Sequence, residues 1–251
     1  MTGRRKEADV TVEKVALVTG ANKGIGFAAA RRLGERGIAV LVGSRNEVLG
    51  KQAADALAAD GIAATPLRLD VTDPACVAEA AREIERRHGR LDILVNNAGT
   101  AGGFTGAPSE ASAADLREVY ETNVFGVVTV TGAMLPLLRR SPAGRVVNVS
   151  SHVGSLTLNC DPGSPLANVS MIAYQSSKTA LNAVTVAYAK ELRGTPVKVN
   201  AALPGVVATD LNRHRGRRTP AEGAEIVVRL ALLDEEGPSG ACLSDEGPVP
   251  W

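Results

Sequence analysis

The stretch VALVTGANKGIG, residues 15–26, runs from an apolar segment straight into a turn crowded with three glycines. Apolar spacing of the helical kind begins near Ile25, so the segment predicts strand, tight turn and helix in immediate succession. Glycine suits a backbone that must bend sharply or come close to a ligand. Gly20, Gly24 and Gly26 meet that need, and Lys23 sets a long cationic side chain among them.

The same alternation continues along the chain. Val15–Val18, Ala39–Val42, Leu67–Leu69, Ile93–Val95, Val146–Val149 and Val197–Ala201 are strand candidates. Several are apolar with little alternation, as expected of parallel strands covered on both faces. Helix candidates lie between them, near 25–36, 47–59, 74–87, 112–138 and 173–192. Asp73 and Pro74 make a good start for the third, as N-cap carboxylate and N1 proline. Gly89 and Arg90 stop it. This pattern predicts an α/β fold, a doubly wound Rossmann-type parallel sheet of about seven strands. No linker, repeat or low-complexity block divides the chain, which predicts a polar tail over 1–12 and one domain over 13–251.

Composition excludes several functions. The formal net charge is +1 and aromatics are 3% of the 251 residues, against a nucleic-acid binder or a base-stacking platform. No uninterrupted apolar stretch reaches the length of a membrane span. The first residues, MTGRRKE, have no apolar segment behind them and do not read as a signal peptide. Cys76, Cys160 and Cys242 are odd in number and far apart, which suggests reduced thiols in a cytoplasmic protein. No CxxC or HExxH spacing and no grouping of His88, His152 and His214 offers a metal site.

In a doubly wound sheet the first strand-to-helix turn receives a phosphate. Amides at the start of the helix near Ile25 would face a pyrophosphate. The spacing G-x-x-x-G-x-G is neither the usual dinucleotide fingerprint nor a P-loop, and a glycine turn without ligand is the plainer alternative. The end of the second strand sharpens the choice. An NAD-specific site usually has a carboxylate there for the ribose 2′-hydroxyl. Here Ser44 stands in its place and Arg45 follows. A guanidinium binds a 2′-phosphate through paired charge-assisted hydrogen bonds, whereas a carboxylate repels it. Lys23 on the neighbouring loop would reach the same phosphate, so NADPH is expected over NADH; a solvated surface lysine is the alternative.

Farther on, Tyr174 and Lys178 stand four apart in YQSSK, on one face of a helix. An ammonium beside a phenol favours the phenolate, lowering a pKa normally near 10. A tyrosine so tuned acts as general acid or base near neutral pH.

Together TGANKGIG, NNAG (96–99), NVSS (148–151), YQSSK and PGVVAT (204–209) resemble the short-chain dehydrogenase/reductase family, in that family's order and over nearly the whole chain. Among its members the NADPH-dependent carbonyl reductases look most similar, with Asn22-Lys23 in the glycine loop, Arg45 after the second strand and a C-terminal tryptophan, here Trp251. The resemblance implies that Tyr174 protonates a carbonyl oxygen as hydride arrives from the nicotinamide. It implies that Lys178 tunes Tyr174 and bonds the nicotinamide ribose, that Ser151 rather than Ser150 holds the substrate oxygen, and that Asn123 supports a water path. Asp70 and Val71 would meet the adenine, and Asn97, Ala98 and Gly99 would flank the cofactor. After Pro204, Gly205 and Val207, Thr209 would bond the carboxamide. The implied activity is reduction of a small ketone or aldehyde, or the reverse oxidation, by a homo-oligomer. A cofactor sensor without chemistry is the rival.

One departure stands out. Ser151 and Tyr174 are 23 apart, where the family often has about a dozen residues, so 153–172 reads as an insertion. It is expected to shape the substrate mouth, or to limit self-association and leave a monomer. RHRGRR, 213–218, reads as a solvated lid loop, with an anionic-substrate contact as the alternative. His152 lacks the G-x-S-x-G elbow of a hydrolase and reads as a rim residue or bystander. Cys160 reads as incidental.

Overall fold

The computed structural model describes residues 14–251; the expected tail, 1–12, lies outside the described residues. The strands are β1 Val15–Thr19, β2 Ala39–Ser44, β3 Ala64–Arg68, β4 Ile93–Asn96, β5 Arg145–Val149, β6 Lys198–Ala202, β7 Cys242–Ser244 and β8 Gly247–Pro248. They form one sheet in the order β3-β2-β1-β4-β5-β6-β7-β8. Every neighbouring pair is parallel except β7 and β8. The order reverses between β1 and β4, which opens a crevice at their carboxyl ends, where doubly wound sheets bind ligands.

Alternate residues of β1 explain its unbroken apolar run. Ala16 and Val18 join a core with Ala29, Leu33, Leu57 and Val227, whereas Val15 and Leu17 join a second core with Ile84, Met134, Leu138 and Leu192. The first core rests on helices α1 Gly24–Gly34, α2 Glu47–Ala59 and α8 Pro220–Ala231; the second rests on α3 Pro74–His88 and α5 Gly126–Leu138. Both cores back onto the same sheet, so the chain forms a single α/β domain. Each fully buried leucine contributes about 1.5–3 kcal/mol to it.

The α3 start is as expected: Asp73 accepts from the Ala75 amide at 2.9 Å, and Gly89 closes the helix with φ 72°. Other boundaries differ. The single helix expected over 112–138 is α4 Ala113–Tyr120, a π-helical turn Glu121–Phe125 and then α5. That run is 26 residues long and an 18-residue window of it reaches a mean hydropathy of 1.3, enough by length and composition for a membrane span although charged residues interrupt it. Half of its apolar window is buried against the domain, with Val119, Val130 and Met134 fully covered. Two helices were not expected from the sequence, α8 and the short α6 Leu156–Cys160; the long α7 Ile172–Glu191 follows the latter.

Candidate active site

The glycine loop leaves β1 under tight steric limits. Gly20 and Gly24 have φ of 61° and 58°, a region that side chains rarely adopt. A Cβ on Gly26 would lie 2.4 Å from Asn97 Nδ2 and 2.6 Å from the Gly20 carbonyl oxygen. Asn97 makes that space costly to change, because its Nδ2 donates to the Thr19 and Gly20 carbonyls at 2.9 and 3.2 Å. Thr19 Oγ1 in turn accepts from the Asn97 and Ala98 amides, both at 2.9 Å. The ends of β1 and β4 are thereby stitched together beneath the loop.

Helix α1 begins after Lys23 with no side-chain cap, so its first amides are left for another acceptor. An uncapped helix start beside a glycine cradle that admits no side chain fits a pyrophosphate. The donor set at the neighbouring strand ends fits the rest of a dinucleotide. Ser44 is buried, and its hydroxyl donates to the Asn46 carbonyl at 2.9 Å, leaving Arg45 exposed beside it. Burial raises the pKa of Asp70, but the Thr72 amide and hydroxyl and the charges of Arg45 and Arg68 outweigh it and hold the carboxyl below its usual value. Val71 is buried next to it.

The segment after β6 lies over this loop. Gly205 takes φ 77°, Val207 is buried, and Thr209 Cγ2 would meet a Cβ on Gly24 at 3.4 Å. Lys23 is not left free: its Nζ lies 2.5 Å from Asp210 Oδ2, and His214 Nε2 lies 2.8 Å from the other oxygen. RHRGRR is only partly a solvated loop. Arg218 is anchored inside, donating to the Pro204 and Glu222 carbonyls and pairing with Asp245 at 2.5 Å.

The second half of the site hangs from β5 and α7. A line of small and polar residues on α7, Ala173, Ser177, Lys178, Asn182 and Thr185, is buried toward the sheet. Gly154 permits the close approach, since a Cβ there would sit 2.9 Å from the Lys178 backbone. Ser151 stands beside the Tyr174 phenol despite the 23-residue separation, near enough for its hydroxyl to lower the phenol's pKa. Ser150 is engaged elsewhere, its hydroxyl donating to Asn182 Oδ1 at 2.6 Å. Lys178 Nζ donates to the Val149 carbonyl at 2.8 Å and lies 5.6 Å from the Tyr174 ring centroid. A Cβ on Gly99 would stand 3.8 Å from that same Nζ.

Electrostatics here depart from the sequence expectation. Burial pushes the Tyr174 phenol up to about 12, only partly opposed by Ser151, and pulls Lys178 down to about 8. Desolvation dominates the phenol's pKa, so Tyr174 stands protonated, the form from which an acid donates.

Asn123 sits in the π-helical turn, a feature frequent at functional sites. Its Oδ1 accepts from the Thr100 amide, and its Nδ2 donates to the Thr100 carbonyl and to Ser177 Oγ, at 2.9, 2.9 and 3.0 Å. Ser177 then donates to the Tyr174 carbonyl at 2.7 Å. Ser177 lies within YQSSK, where its place beside Lys178 is the only sequence signal for it, and no local motif marks Asp210.

The α6 part of the insertion is tied down on two sides. Gln175 Nε2 donates to Asn159 Oδ1 at 2.6 Å, and the Thr157 amide and hydroxyl donate to the Trp251 main-chain oxygen at 3.1 and 2.7 Å. Leu156, Met171 and Trp251 are exposed apolar side chains of this region. His152 is half-buried; burial lowers its pKa, with Glu246 opposing and Arg218 assisting. Cys160 is exposed, and Cys76 and Cys242 are buried. Among the described residues, no three His, Cys, Asp or Glu side chains gather into a metal-binding group.

The short chain dehydrogenase family model matches residues 14–219, which include the glycine loop, Arg45, Asn123, Ser151, Tyr174 and Lys178. The chain belongs to the short-chain dehydrogenase family. It is an oxidoreductase by that membership. Its similarity to (-)-isopiperitenone reductase of Mentha piperita is 35% identity over 91% of this chain and 95% of that protein. Carbonyl reductase [NADPH] 1 of Bos taurus is 34% identical over 94% and 98% of the two chains. A solved structure of an actinorhodin polyketide ketoreductase variant with NADPH superposes with a TM-score of 0.80, at 31% identity over 93% of this chain and 95% of that one. The mint reductase aligns over 301 positions, more than this short-chain dehydrogenase contains, so that relative carries residues that have no counterpart here.

Proposed function

We propose that the protein reduces a ketone or aldehyde to an alcohol with NADPH, using Tyr174 as general acid. The observation that carries the proposal is Ser151 and Tyr174 brought together beside buried Lys178, whose Nζ lies 5.6 Å from the Tyr174 ring centroid. That group stands in the same crevice as the glycine cradle. Bound by the glycine loop, Arg45 and Lys23, NADPH would supply the hydride needed at the carbonyl carbon.

The chain's own groups manage the oxygen and the proton. Ser151 donates to the carbonyl oxygen and orients it toward Tyr174. The Tyr174 proton passes to that oxygen as negative charge develops there. Lys178, when protonated, stabilises the tyrosinate left behind, in surroundings where a charge interaction is strong. Asn123 and Ser177 hold the π-helical turn against the helix that carries Tyr174. Arg45 and Lys23 favour the 2′-phosphate, and no carboxylate stands at Ser44 to repel it. The names of the similar proteins support carbonyl reduction and NADPH, because two are reductases of that description or were solved with it.

The insertion forms one wall of the substrate mouth in this proposal, with Leu156, Met171 and Trp251 offering apolar contact. The test is NADPH oxidation followed across a panel of cyclic, aromatic and aliphatic carbonyl compounds, with Tyr174→Phe as control. Turnover of at least one compound by the wild type and none by the variant is the expected result. Tight NADPH binding without turnover of any carbonyl, and without oxidation of the matching alcohols, would instead support the sensor.

A further inference from the structure

We propose that Asp210 is a specificity-determining residue that competes with the 2′-phosphate of NADP(H) for Lys23. This rests on the NADPH assignment made above. Lys23 is the one cation within the glycine loop, set between Asn22 and Gly24. Its ammonium is occupied by a carboxylate 187 positions away in the chain, on the segment that crosses the loop. A phosphate arriving at Arg45 and Lys23 must therefore take Lys23 from Asp210.

Geometry makes the exchange feasible. Both partners are exposed, at 64% and 56% of their side-chain surface, so the pair is solvated and weak. A phosphate near neutral pH carries more negative charge than one carboxylate and offers more acceptor oxygens. Asp210 keeps a partner after the exchange, because His214 Nε2 lies 2.8 Å from its second oxygen. The stem of the segment is independently fixed by Arg218, through Pro204, Glu222 and Asp245. Only the tip has to give, and its backbone is the strained part. Arg213 and His214 are consecutive non-glycine residues at φ 54° and 58°. Occupancy of the 2′-phosphate site and release of the tip are then two sides of one exchange.

Equilibrium calorimetry on the full chain tests this with adenosine 2′,5′-bisphosphate, adenosine 5′-monophosphate and NADPH. The proteins are the wild type, Asp210→Asn, Lys23→Ala and the double variant. Asp210→Asn is expected to bind the bisphosphate and NADPH about twofold to fivefold more tightly, the range of an exposed ion pair. The monophosphate should bind it as it binds the wild type. In the Lys23→Ala background the gain should vanish, since the two residues act through one contact. An equal gain in both backgrounds would mean that Asp210 merely repels the anion, and no gain or a loss would remove the competition altogether. A wild type that binds the bisphosphate no more tightly than the monophosphate would overturn the NADPH assignment itself, and the competition with it.

Discussion

Replacing Lys178 with methionine should abolish turnover and stabilise the fold. Methionine keeps most of the length of the side chain, so the space beneath Gly154 stays filled. The ammonium is lost, and with it the cost of burying a charge. Burial lowers the Lys178 pKa from 10.5 to about 8. Each unit is worth about 1.4 kcal/mol, so the charged form costs on the order of 3 kcal/mol in the folded protein at pH 7. The hydrogen bond to the Val149 carbonyl is lost too, which returns about 1 kcal/mol. A net gain of about 2 kcal/mol should remain, raising the melting temperature by roughly 4–8 °C in a chain of this size. The pH dependence provides an internal check. A lysine with a depressed folded pKa binds fewer protons folded than unfolded between about pH 8 and 10.5. Wild-type stability therefore rises relative to the variant as pH climbs through that window. Urea unfolding at pH 7 and pH 9.5 reads both effects. A variant less stable than wild type at pH 7, or a difference that does not shrink at pH 9.5, would refute the reasoning.

Tyr174→Phe removes the proton donor but keeps the ring near Lys178, so the rate should fall about 10²–10⁴-fold while NADPH titration stays nearly unchanged. More than about a tenth of the wild-type rate would mean a loss under ~1.4 kcal/mol and a different acid. Arg45→Asp places a carboxylate beside the Asp70 end of the site and should turn the kcat/KM preference from NADPH toward NADH; equal losses for both would show that Arg45 only supports the loop. Asn159→Ala cuts the anchor between α6 and Gln175. It should raise the KM of carbonyl substrates several-fold at constant kcat, and an unchanged KM across the panel would take the insertion out of the substrate mouth.

The legible parts of the fold were those whose sequence pattern has one physical cause. β1, β2 and β4 are buried on both faces, so their runs are mostly apolar without alternation; β5 is buried throughout too, with Arg145 and Asn148 among its valines. β3 was placed too late because Ala64, Thr65 and Pro66 make no apolar run; it is an edge strand, where proline is tolerated. β7 is only three residues long. The α8 start carries a sequence signal of its own: Thr219 and Glu222 form a reciprocal capping box with Pro220 at the first helical position. The π-helical turn leaves no mark in a count of helical spacing, since one extra residue in a long apolar run shifts the face without breaking the pattern.

At the site, local motifs were legible and long-range electrostatics were not. Tyr174 and Lys178 announce themselves by spacing. Their pKa values depend on burial beneath β5, which no four-residue motif encodes. The bond from Lys23 to Asp210 depends on where the chain after β6 returns, and only the assembled sheet determines that.

The polar interior of α7 shows how the fold holds this chemistry in place. A core of leucines would stabilise the sheet better than Ser177, Lys178, Asn182 and Thr185, because each polar group needs a partner to offset its burial. The structure supplies those partners from two elements: the π-helical turn through Asn123, and β5 with the residue that follows it through Asn148, Val149 and Ser150, Asn148 Nδ2 donating to Thr185 Oγ1 at 2.8 Å. A helix held only by apolar packing can slide or rotate by a fraction of a turn at little cost. One whose buried donors and acceptors match fixed groups loses whole hydrogen bonds on the same movement, each worth about 1 kcal/mol, with a further cost where a buried group is left unpaired. The distance between Tyr174 and Ser151 is therefore set by a polar network that extends well beyond the two residues, and the π-helical turn persists because Asn123 is part of it.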